Sequence, residues 1–172
     1  GETCAACADT SPIDGLFAAL HYRVPIVSHI IHACKYRFLP GTALPLAELL
    51  ADALDRNGLP LPDIIIPVPL HPRRLRFRGF NQSAEIARHL AECLAPGLDL
   101  PILEEVLLRK RHTRPQVKAS KKERLRNLRG AFAIAKGMKK TVSGKTVWLV
   151  DDVATTGATL AECARALKKS GV

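Results

Sequence analysis

The sequence predicts an α/β fold built on a mainly parallel sheet flanked by helices. Asp63-Ile64-Ile65-Ile66 and Val147-Trp148-Leu149-Val150 contain short unbroken apolar runs, the pattern of strands buried on both faces. Each run passes straight into a polar loop, and each loop into a stretch with helical periodicity. Repeated strand, loop and helix units fold as parallel strands with helices packed on the sheet. Ligands of open α/β sheets sit beyond the carboxyl ends of the strands, so 63–66 and 147–150 are expected to end at one shared cleft.

The remaining elements follow in chain order. Residues 14–39 carry a helical pattern through Ile26, Val27, Ile30, Ile31 and Cys34. Residues 45–56 form a second amphipathic helix with Leu46, Leu49, Leu50, Ala53 and Leu54 inward, stopped by Asn57-Gly58. After strand 63–66 comes Pro67-Val68-Pro69-Leu70. A tight loop aiming N–H groups at an anion needs unusual backbone geometry, so a cis or otherwise unusual peptide is expected in 66–70. Val68-Pro69 is its cheapest place, since proline lowers the cis cost to about 0.5–1 kcal/mol. A helix is expected over 83–94, with Ala84, Ala87, Leu90 and Leu94 inward. Val106-Leu107-Leu108 and Ala131–Ile134 read as strands, and 138–144 as a turn. The last helix, 160–169, turns Leu160, Cys163, Ala164 and Leu167 inward, and Thr159 with Glu162 fits a capping box at its start.

With 172 residues, 47% of them hydrophobic, the chain has enough material for one real core. No apolar run reaches the roughly 18 residues of a membrane span, and no signal-peptide pattern is visible. A cytoplasmic protein without membrane insertion is expected. The five cysteines, an odd number, argue against a disulfide framework. Cys34, Cys93 and Cys163 fall at apolar helical positions and read as small core residues. Cys4-Ala-Ala-Cys7 is half of a structural zinc site, and tetrahedral zinc takes four ligands. His29 and His32, three apart, are the alternative completion, though ordinary helix positions describe them better.

The net charge is +10, which favours anionic partners. The charge is clustered: 109–129 holds ten Lys/Arg and one acid, Glu123. That stretch has too few apolar residues for a core and is expected to be mobile at first and helical near 120–128. A second basic cluster, Arg73, Arg74, Arg76 and Arg78, follows a strand end, where arginines hold pyrophosphate through charge-assisted bonds.

The most informative stretch is 147–159. Asp151 and Asp152 close the strand, and the small-residue loop Ala154, Thr155, Thr156, Gly157, Ala158, Thr159 opens the last helix. Unpaired N–H groups and the positive dipole end of a helix hold a phosphate dianion. Gly157 lets backbone approach closely, and the three threonines add hydroxyl donors. Two carboxylates beside a phosphate make sense when they face ribose hydroxyls or a hydrated Mg²⁺. The combination suits a phosphorylated sugar.

This run resembles the phosphoribosyl-pyrophosphate (PRPP) motif of type I phosphoribosyltransferases. The resemblance implies that fold, ribose and Mg²⁺ contacts at Asp151 and Asp152, and a 5′-phosphate loop at Ala154–Thr159. Thr155 stands where purine-salvage members carry an Asp read as general base, which argues against purine salvage and leaves the acceptor open. The order Lys35-Tyr36, Pro67-Val68-Pro69-Leu70, Arg78-Gly79-Phe80-Asn81-Gln82, Thr113-Arg114-Pro115-Gln116, Glu123-Arg124 and Gly130-Ala131-Phe132, ahead of that motif, resembles the ComF family of competence-associated proteins. These carry an N-terminal zinc ribbon with two Cys pairs, and Cys4 and Cys7 match the second. The resemblance therefore implies a zinc-ribbon remnant over 1–13, with partial Zn²⁺ ligation. It also implies a phosphoribosyltransferase-like domain over 14–172 that lacks its last strands. It further implies a role in natural transformation, with single-stranded DNA and the competence helicase machinery as partners. Two functions follow. As an enzyme, the chain displaces pyrophosphate from PRPP. Pro67, Val68, Pro69, Leu70, Arg73, Arg76 and Arg78 then hold the pyrophosphate, and 109–129 is a lid. As a binding protein, it holds single-stranded DNA or senses PRPP, with Arg114, Lys121, Lys122 and Arg124 on nucleic acid.

Overall fold

The computed structural model describes residues 11–36, 40–112 and 121–172. Helices α1 (Pro25–Tyr36) and α2 (Ala43–Arg56), with a 3₁₀ turn at Pro40–Thr42 between them, precede strand β1 (Ile64–Pro67). Then come α3 (Pro72–Arg78), α4 (Gln82–Leu94), β2 (Leu107–Arg109), α5 (Lys121–Leu128) and β3 (Phe132–Ile134). A short α6 (Lys139–Val142), β4 (Val147–Val150) and α7 (Ala158–Lys168) complete the order.

β1 and β4 pair in parallel, from Ile64 opposite Val147 to Pro67 opposite Val150. On the other side of β1, Ile65 bridges Ile102, also in parallel. β2 and β3 pair antiparallel, Leu107 opposite Ile134. The unbroken apolar character of β1 has a direct cause. Ile64 and Ile66 point into a core made with Val106, Leu107, Phe132, Val142, Leu160, Cys163 and Leu167. Ile65, on the opposite face, packs with Ala47, Leu54, Ile86, Ala87, Leu90 and Val150. Helices thus cover both faces of the β1–β4 pair, as the α/β reading requires.

Several expectations need correction. The first helix begins at Pro25, not near residue 14. Proline lacks the N–H that a helix interior needs and is tolerated at a first position, so Pro25 sets the start. α2 packs through Ala43, Ala47, Ala51 and Leu54, while Leu49 is exposed. Its neighbour α4 presents Ala84, Ala87 and Ala91, and small residues let the two helices come close, so alanine rather than leucine marks the buried stripe. The arginine cluster at 73–78 is helical. Pro72 occupies the first turn of α3, His71 Nδ1 accepts from Arg73 N–H at 3.2 Å, and Gly79 closes the helix at φ 84°. No cis peptide is present among the described residues. Val68 N–H donates to Val150 O at 2.9 Å, so the chain runs on extended past Pro67 and makes no sharp reversal there. The 138–144 turn contains the single helical turn α6.

Candidate functional site

Parallel pairing decides where the polar segments go. Because Pro67 lies opposite Val150, the chain after β1 and the chain after β4 leave the sheet side by side, at one shared edge. Pro67, Val68 and Pro69 are buried and Leu70 is half-buried, so this loop is a backbone shelf at the sheet edge. Asn81 fastens it to the next helix: its Nδ2 donates to Val68 O at 3.1 Å, and its Oδ1 accepts from Ser83 N–H at 3.2 Å, capping α4.

The two carboxylates lie at the end of β4. Asp151 Oδ1 accepts from Ser83 Oγ at 3.1 Å and from the Asp152 N–H at 3.0 Å. Burial pushes the Asp151 carboxyl up to about 7, and the charge of Asp152 adds to the rise; the Asp152 N–H, Lys35 and Ser83 pull the other way. Asp152 Oδ2 lies 2.8 Å from Lys35 Nζ, with the Asp152 side chain only 7% exposed. The contact is an ion pair rather than an aligned hydrogen bond, since Asp152 Oδ2 has no hydrogen-bond partner among the described residues. Cys34, beside Lys35, is buried and hydrogen-bonded to the Thr42 side chain, which ties the end of α1 to the 3₁₀ turn that follows it. Lys35 and Ser83 were not legible as site residues: one lies in a far-off helix, and the other reads as an ordinary helix start.

The loop after the carboxylates reaches the surface. Ala154 and Thr155 are exposed, Thr156, Gly157 and Thr159 half-buried, and Ala158 buried. Gly157 caps α7 in the left-handed region at φ 69°, where a side chain is strained. Thr156 Oγ1 lies 3.4 Å from the Ala158 N–H it accepts from. The expected capping box is not formed. Glu162 is turned away and buried, accepting from the Gly130 N–H at 2.9 Å and pairing with Arg165. The helix starts two residues earlier than the box requires, with Gly157 as its cap.

Cations surround this edge. Arg73 and Arg76 stand exposed on α3, while Arg78 is half-buried and donates to Gln82 Oε1. Arg109 sits 5.3 Å over the Phe132 ring. Burial and then Arg74 lower its basicity, against the fields of Cys163 and Asp151. His71 meets His112 edge-on at 5.0 Å between ring centroids. Lys121, Lys122 and Arg124 belong to α5; their side chains, and Arg114, Cys4 and Cys7, lie outside the described residues. His29 Nδ1 bonds Pro25 O at 2.7 Å and the His32 ring packs on Tyr36, as ordinary helix residues do. No cluster of three or more His, Cys, Asp or Glu side chains able to hold a metal occurs among the described residues. The Asp151–Asp152 pair fits the usual manner of Mg²⁺, which takes one or two carboxylates and completes its shell with water and substrate phosphates.

Residues 79–172 match the family described as the phosphoribosyl transferase domain. Over 99% of its length the chain is 38% identical to "Competence protein F" of Haemophilus influenzae, covering 74% of that protein. It is 36% identical to "DNA utilization protein YhgH" of Salmonella typhi, over 98% of this chain and 72% of that one. It is also 34% identical to "Competence protein ComFC" of Bacillus subtilis, over 63% of this chain and 39% of that one. No solved structure matches the chain significantly. No helix among the described residues is long and apolar enough to cross a membrane. A phosphoribosyltransferase domain, and matches along nearly the whole chain to competence and DNA utilization proteins, place it in the ComF family.

Proposed function

We propose that this chain binds PRPP with Mg²⁺ at the paired strand ends and transfers the phosphoribosyl group to an acceptor, releasing pyrophosphate, in the service of DNA uptake. The observation that carries the reading is the adjacency of a buried carboxylate pair and a helix-opening loop where two parallel strands end together. Asp151 and Asp152 orient the ribose hydroxyls. The N–H groups and hydroxyls of 154–159 hold the 5′-phosphate. The 67–70 shelf, with Arg73, Arg76 and Arg78, takes the pyrophosphate as it leaves the anomeric carbon. Segment 109–129 covers the bound sugar and excludes water. Mg²⁺, when bound, neutralises charge on the leaving group. The test is pyrophosphate release from PRPP across a panel of nitrogen acceptors, single-stranded DNA among them. Release that needs both an acceptor and the carboxylate pair supports transfer.

One observation favours a second reading, in which the chain binds single-stranded DNA without turnover. Phe77 on α3 is 81% exposed, between Arg76 and Arg78 and one turn from Arg73. An exposed ring among guanidinium groups is how single strands are held, by base stacking and phosphate contact together. Loss of DNA affinity in Phe77→Ala, with no acceptor found for PRPP, favours this second reading.

A further inference from the structure

Lys35 is the cation nearest the carboxylate pair among the described ion pairs, and it comes from a helix outside the matched domain, which begins at residue 79. Its Nζ lies 2.8 Å from Asp152 Oδ2, and the two side chains are 21% and 7% exposed. Around it the charges are uneven. Asp151 and Asp152 share one peptide unit, with the Asp152 N–H bonded to Asp151 Oδ1 at 3.0 Å. The hydroxyl of Ser83 is the other donor to that oxygen, at 3.1 Å. A hydroxyl and an N–H supply partial charge only; Lys35 is the full positive charge that pairs directly with Asp152, and the Arg109 guanidinium adds its field at Asp151. Asp152 Oδ2 has no aligned hydrogen bond among the described residues, so the ammonium is held there by charge and not by a directional bond. A buried anion held this way is ready to exchange one cation for another, because the incoming ion recovers the Coulomb term and no fixed bond geometry is lost.

We propose that Lys35 is a resident counter-ion of the Asp151–Asp152 pair, which a divalent cation must displace from Asp152 when it binds. The inference deepens the reading of this pair as a PRPP and Mg²⁺ site, and rests on it. It gives α1 a part in the site: the helix neutralises the buried pair while the site is empty and opposes binding of a metal that arrives without its sugar polyphosphate. With PRPP present, the ligand's own anionic oxygens complete the metal shell, and they also give the released ammonium an anion to pair with. Coupling of metal to ligand follows, since the metal alone has to overcome Lys35 and the metal with PRPP does not.

Mn²⁺, which can be counted as the free ion by electron paramagnetic resonance, serves as the probe on the full chain. Lys35→Met keeps the length of the side chain and removes the charge. It should bind Mn²⁺ alone about ten-fold or more tightly than the wild type, the size of one displaced charged contact, and the gain should vanish in Lys35→Met with Asp152→Asn. Equal or weaker Mn²⁺ binding by Lys35→Met, in a wild type that binds Mn²⁺ with PRPP, overturns the counter-ion role and leaves the PRPP site standing. Absence of Mn²⁺ binding in every variant, with or without PRPP, overturns both. A variant that fails to fold does not stop the test. In the wild type, the Lys35 side-chain resonance, assigned through Lys35→Arg, should move when Mg²⁺ and PRPP are added. An unmoved resonance under saturating ligand overturns the displacement.

Discussion

Asp151 carries a charge that the fold disfavours. Its carboxyl is raised from 3.8 to about 7, first by burial and then by its neighbour Asp152. An unfolded chain ionises this group near pH 4 and the folded chain only near 7. Between those values the folded state binds the extra proton, so stability contributed by Asp151 falls as pH rises from about 4 to about 7 and stays lost above that. Asp151→Asn removes the term. Its thermal midpoint should therefore gain on the wild type from pH 5 to about pH 7 and level off above that, read by differential scanning fluorimetry. A difference that stays flat with pH contradicts the burial of this charge. The placement of the carboxylates at a strand end and of Gly157 at a helix start was legible in the sequence because it depends on neighbours in the chain. Ser83 and Lys35 were not, because their contact with Asp151 and Asp152 exists only after β1 and β4 pair and α1 and α4 dock.

At the scale of elements, legibility followed packing. β1 announced itself because both its faces are buried, and β4 because it packs on both faces, though Val147, Trp148 and Leu149 are only half-buried. In α2 the periodicity found Leu54 and the half-buried Leu46 and Leu50 but misplaced Leu49 and passed over the most buried positions, which are alanines, because it weights leucine more heavily. α3 was missed although proline at its start and glycine at its end are ordinary helix boundaries; four arginines after a strand end were read as a loop that holds pyrophosphate. Glu162 was read as part of a cap and instead joins two elements. From α7 it reaches the Gly130 N–H in the turn between α5 and β3, and it is only 6% exposed. The helix that opens at Ala158 is thereby tied to the end of the basic segment. Glu162→Ala leaves that N–H without its acceptor and should cost about 1–3 kcal/mol in urea unfolding, with faster hydrogen exchange at Gly130. Wild-type exchange there would show that the tie carries nothing.

For the whole molecule, the question is what its positive charge is for. The chain carries +10 overall, and ten of its Lys/Arg fall within 109–129. Replacement of Arg114, Lys121, Lys122 and Arg124 by alanine separates the two functions. Loss of PRPP turnover with DNA binding retained marks a lid. Loss of DNA binding with PRPP binding retained marks a nucleic-acid surface, for which affinity should fall as roughly the 0.7 power of salt per phosphate contacted. A variant equal to wild type in both assays makes the segment a solvated basic face.

The central claim is that the strand-end carboxylates and the loop beyond them form one PRPP site. Calorimetric titration of PRPP with Mg²⁺ into the wild type and into Asp151→Asn/Asp152→Asn tests it most directly, with circular dichroism confirming that both are folded. The account predicts a saturable Mg²⁺-dependent binding heat in the wild type and its loss in the folded variant. Equal affinity in the two proteins would contradict it.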